Sequence, residues 1–177
     1  MSSATGLLSR DLLDRIFSSF PMPLNGLHGP SHWARVLENG ERLAGLNGAR
    51  LDVVRLFAVF HDSKRMNDDR DPGHGARGAK FAASLRDDLF DLPDEDFDRL
   101  EFACRFHTGG EAPEDLTVAT CWDADRLDLG RVGIQPLPRR LCTAAARDPE
   151  ILAWGIERSR NPHPPAWVAE EWGLWLE

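Results

Sequence analysis

The sequence predicts an all-α fold, and three observations carry that prediction. Apolar residues recur at helical spacing through most of the 177 residues. No run of alternating β-branched and polar residues appears, so no strand pattern competes. Proline and glycine divide the chain into segments of helical length.

Residues 7–19 place Leu8, Leu12, Leu13 and Ile16 on one face of a short amphipathic helix. Pro21, Pro23 and Gly26 break the chain after it. The next helix starts at Gly29-Pro30-Ser31, where proline suits the first turn and serine is a capable cap. It carries Trp33, Val36, Leu37 and Leu43, with His32 in its first turn and His28 in the loop before it. Gly48 stops it. Residues 51–60 are apolar nearly all round and predict a central buried helix; a buried strand is the competing reading of so short a run. A turn-rich loop holding His74 follows, then helices over 76–86, 94–107 (ended by Gly109-Gly110) and 114–129. Two weaker helices are expected at 140–158 and 165–176, with Trp167, Trp172 and Trp175 packing the tail onto the body; a homodimer contact is the alternative use of these rings.

At this length one domain spanning 1–177 is expected. A net charge of −8 and a pI of about 5.2 argue against a nucleic-acid duplex as partner. Cys104, Cys121 and Cys142 show no CxxC spacing and read as small core residues of a reducing compartment. No apolar run approaches the ~20 residues of a membrane span. No basic region precedes an apolar stretch at the N-terminus, so a cytoplasmic protein is expected.

His61-Asp62 closes the apolar run 51–60. A buried charge must be neutralised, paired or bound to a metal. Imidazole nitrogen and carboxylate oxygen suit divalent metals, so the pair is expected to chelate one. The same chain offers buried-face or helix-end ligands at His32, His107 and Asp125, and His74 from its loop. At about 100° per residue Asp125 falls within about 40° of Val118, Cys121 and Leu129. Asp123 falls about 160° away, on a face expected to meet solvent or an arginine. Plainer readings stand beside these: His61 satisfied by a carbonyl, Asp62 capping a turn, His107 facing a helix dipole.

The ordered set resembles the HD-domain superfamily of metal-dependent phosphohydrolases. His32-Trp-Ala-Arg-Val36 is similar to the family's first histidine segment, His61-Asp-Ser-Lys-Arg65 to its name-giving dyad, and Trp122-Asp-Ala-Asp-Arg-Leu-Asp128 to the element that brings its last aspartate. Over residues 28–134 the resemblance implies a compact bundle of five or more helices around a metal site. It implies ligands at His32, His61, Asp62 and Asp125. His74 and His107 would add a second ion bridged by Asp62, whereas His28 matches less well. The ion would be Fe, Mn, Ni, Zn or Mg, with a metal-activated hydroxide attacking a phosphorylated small molecule, in first place a nucleotide. Asp62, Lys64 and Arg65 are the expected catalytic groups, and Lys64, Arg65, Arg77 and Arg126 the expected phosphate binders, with Arg131 a further candidate. Asp128 is a candidate to orient His107 or an arginine, and Asp123 or Asp68 to move protons. Two other functions fit the same ligands: an HD-type di-iron oxygenase and a non-catalytic nucleotide-sensing module.

Overall fold

A computed structural model describes residues 6–161 and 163–176 of the chain. Its described residues form α-helices joined by short turns, with no β-strand and a single bridge between Arg86 and Phe90. The helices are α1 (Arg10–Ser18), α2 (Pro30–Asn47), α3 (Leu51–Phe60), α4 (His74–Leu85), α5 (Asp94–Phe106), α6 (Leu116–Arg126), α7 (Ala144–Arg147) and α8 (Pro149–Ser159). None of the described helices is long and apolar enough to cross a membrane.

The bundle is built around α3. Val53, Val54 and every residue from Leu56 to Phe60 are buried, because neighbours cover the helix on all sides. α2, α5 and α6 all pack on it. α4 reaches the centre because two of its residues lack a side chain. A Cβ on Gly78 would stand 2.4 Å from the Phe60 carbonyl oxygen, and one on Gly75 would stand 2.2 Å from that of Cys104. These close approaches bring the first turn of α4 against the ends of α3 and α5.

Four expectations change. α4 begins at His74, so this histidine sits in a helix's first turn and not in a loop. The expected helix 114–129 ends as α6 at Arg126, and a 3-10 turn over Leu129–Val132 follows. The expected helix 140–158 is two, since Asp148 caps α8 by accepting from the Glu150 and Ile151 N–H groups and Pro149 opens its first turn. The expected helix 165–176 is only a π turn, Val168–Trp172, closed by Gly173 at φ +64°. Trp172 is buried there and Trp167 meets it edge-on at 5.1 Å, whereas Trp175 is 83 % exposed and does not pack.

Candidate metal centre

His61 is the C-cap of α3, and its ring stacks on Phe57 at 4.8 Å between centroids. Its Nδ1 faces the Phe57 and Ala58 carbonyl oxygens, both at 3.1 Å. A carbonyl only accepts, so Nδ1 carries the proton and Nε2 is left bare. The same logic fixes three more rings. His107 Nδ1 donates to the Cys104 carbonyl at 2.7 Å, and His74 Nδ1 to the Asp71 carbonyl at 2.5 Å. His32 Nδ1 donates to Asp128 Oδ2 at 2.7 Å.

The four Nε2 atoms therefore meet in pairs. His32 and His61 are 3.1 Å apart at Nε2, and His74 and His107 are 2.9 Å apart. Asp62 stands between the pairs. Its Oδ2 lies 3.7 Å and 3.8 Å from the first two nitrogens. Its Oδ1 lies 3.1 Å and 3.5 Å from the second two. Asp125 Oδ1 completes the first group, 3.3 Å from His32 Nε2 and 3.8 Å from His61 Nε2. Ligand atoms about 2.0–2.1 Å from a tetrahedral cation stand roughly 3.3 Å from one another. His32, His61 and Asp62 thus form one group that could hold a small divalent ion, with Asp125 beside its two histidines, and the triad Asp62, His74 and His107 could hold a second.

Electrostatics separate the two groups. Burial lowers the pKa of His61 to about 3, so its ring is neutral. Burial also disfavours the cation at His107, but Asp62 and Asp125 outweigh it and its pKa is raised. The two pairs thus sit in different electrostatic fields. Burial alone would raise the Asp62 carboxyl; His61, His107, His28 and His74 together hold it well below its usual range. Asp125 is likewise lowered against its burial by His32 and His61. Its side chain is 17 % exposed while the other five candidates are 4 % or less, so solvent reaches the cluster past Asp125.

The basic residues divide. Arg65 stands against the His74 ring, Nη1 3.3 Å and 3.4 Å from its two nitrogens and 4.0 Å from Asp62 Oδ1. Lys64 turns away from the cluster; its ammonium donates to the Ser19 carbonyl at 2.7 Å and lies over the Phe81 ring. Arg77 donates to Asp71 Oδ2 and to the Lys64 carbonyl, so it clamps the segment that leads into α4 rather than facing the ligands. Arg126 donates to the Arg140 carbonyl and Cys142 Sγ.

Asp123 meets neither solvent nor an arginine. It is fully buried and accepts from the Cys142 and Thr143 N–H groups, both at 2.7 Å, because residues 141–147 cover the outer face of α6. Asp128 orients His32 and Arg35, whose Nε it accepts at 2.7 Å, and not His107. His28, set aside in the sequence, is buried with Nδ1 3.0 Å from Asp62 Oδ2. Asp68 is half exposed, 4.0 Å from His28 Nε2. Arg35, one turn after His32, was the missed partner, and that spacing was the available signal.

No family model matches the chain, and no curated protein matches it. A solved structure does: the crystal structure of a predicted HD superfamily hydrolase from an uncultured Thermotogales bacterium, 24 % identical, with a TM-score of 0.66 over 85 % of this chain and 86 % of that one. The chain therefore has the fold of the HD superfamily, an all-α bundle with a His/Asp cluster at its centre able to hold a metal.

Proposed function

We propose that the protein is a metal-dependent phosphohydrolase acting on a nucleotide or another small phosphate ester. The carrying observation is the clustering of His32, His61, Asp62 and Asp125, with the His61 ring kept neutral by burial. These four residues would hold the first ion; His74, His107 and the far oxygen of Asp62 would hold a second. A bound divalent ion would acidify a water and polarise a phosphoryl oxygen.

The chain's own residues supply the rest. Asp128 fixes the tautomer and direction of His32 and raises its basicity as a ligand. Phe57 and the carbonyls of α3 do the same for His61. Arg65 is the cation nearest the cluster and is suited to a phosphoryl oxygen. A cleft of about 650 Å³ lined by Arg126, Arg139, Arg140 and Arg147 and by no carboxylate favours an anion; none of the six cluster residues lines it, and Thr108, which follows His107 in the chain, is its nearest link to them. In a chain of net charge −8 that local excess is a preference for anions.

The same bridged arrangement would serve a di-iron oxygenase of HD type; an iron-loaded protein that consumes oxygen and leaves phosphate esters intact would replace the hydrolase reading. A protein that binds a nucleotide but no metal would be a sensing module. We take residues 1–177 to work as one domain, since α8 and the tail are tied to α2 by Arg158 on Asn39 and Trp167 on Glu38, and we place the protein in the cytoplasm on its sequence alone. Exposed Trp175 is the place where a homodimer would form. The test is elemental analysis of the purified protein joined to a phosphatase screen, with Mn, Fe, Ni, Zn and Mg each added back. Metal bound together with phosphate release supports the reading, and a metal-free, inactive protein contradicts it.

A further inference from the structure

Arg35 is 5 % exposed, and its Nη1 is buried without any hydrogen-bond partner although its Nε is held by Asp128. A guanidinium has five donors in a fixed fork, and a buried charged donor left unpaired is costly. Arg35 also lines a pocket of about 230 Å³ together with Ser31, Arg131, Arg160 and Asn161. No carboxylate lines this pocket, and none of the six clustered ligands does. Ser31 lies in the first turn of α2, an 18-residue helix whose Gly29 cap offers no side-chain acceptor. The positive end of that helix therefore adds to three arginine charges around one small space.

We propose that this pocket is a binding site for a small oxyanion of the phosphate or sulfate type, separate from the metal cluster. The anion is held by Arg160 and the Ser31 hydroxyl, beside Arg35 and Arg131. Its position couples it to the cluster through one short bridge, which runs from Arg35 through Asp128 to His32. An anion at the arginines draws on the same charge that Asp128 uses, so it reaches a ligand histidine without touching it.

The experiment is isothermal titration of the full chain with inorganic phosphate and with sulfate, as purified and after chelation. Saturable binding that survives chelation is expected. The exposed Arg160 has no side-chain hydrogen bond among the described residues, so Arg160→Ala and Ser31→Ala keep the fold, checked by circular dichroism. Together they are expected to weaken binding at least about tenfold, since two charge-assisted hydrogen bonds are lost. Binding lost on chelation would place the anion on the metal and overturn the proposal. So would no saturable binding, or binding unchanged in the double variant. Because chelated protein is used, failure of the hydrolase reading leaves this result standing on its own.

Discussion

The two halves of the His/Asp cluster share Asp62 but are held differently. On one side His32 donates its Nδ1 proton to a carboxylate, Asp128, and His61 is kept neutral by complete burial. On the other side His74 and His107 donate to backbone carbonyls, and His107 is drawn toward its cation by Asp62 and Asp125. The first half has Asp125 beside its two histidines, 3.3 Å and 3.8 Å from their Nε2 atoms, and the second has Arg65 against the His74 ring. The difference teaches that two superficially equal histidine pairs sit in unequal fields: burial governs His61, whereas the carboxylates Asp62 and Asp125 govern His107.

Removing the shared carboxylate should have the largest effect. Asp62→Ala is expected to abolish metal binding at both halves while the protein stays helical, as elemental analysis with circular dichroism would show. His61→Ala should lose the first ion and His107→Ala only the second; equal losses in the two variants would erase the distinction. Asp128→Asn is expected to weaken the first ion by about 10–100-fold and spare the second, measured by competition with a chelating dye.

Asp125→Asn and Asp123→Asn separate the centre from its scaffold. The first should cost metal. The second should keep metal yet lower stability by about 1–3 kcal/mol in urea unfolding, since a buried acceptor of two N–H groups loses its charge.

The pH dependence sharpens the comparison further. An ion entering the second half must release the His107 proton, so its affinity should climb with pH more steeply than that of the first. In metal-free protein His61 titrates near 3 when folded and near about 6.5 when unfolded. Between those values the unfolded chain binds more protons, so the stability this group contributes falls as the pH drops through that window. His107, raised in the fold, acts in the opposite sense, losing its contribution as pH rises through its folded value. Urea midpoints at about pH 7 and 5 should therefore fall less in His61→Gln than in the parent chain. The smallest effect is expected at Trp175, where Ser should change stability by less than about 0.5 kcal/mol.

The centre of the fold was legible because α3 is apolar all round and ends at the dyad, and the structure places that helix at Leu51–Phe60. The convergence of residues 32, 61, 62, 107 and 125 was legible because each reads as a helix end or a buried face, whereas His74 read as a loop residue and was brought in by the family resemblance. What failed depended on contacts far apart in the chain. Periodicity put Asp123 on the outer face of α6 but could not reveal that residues 141–147 return to cover it. Lys64 follows the dyad in sequence, yet the turn after α3 aims it at α1. The break at Asp148-Pro149 was a cap signal available in the sequence, overridden there by the apolar spacing around it.

Anomalous diffraction at the metal edge, on crystals of protein purified without added chelator, tests the central claim most directly. A peak bonded to His32 Nε2, His61 Nε2, Asp62 Oδ2 and Asp125 Oδ1 is expected, with any second, weaker peak at His74 and His107. A metal bound only elsewhere on the chain, or crystals in which the His32–His61 pair binds no ion under saturating metal, would contradict it.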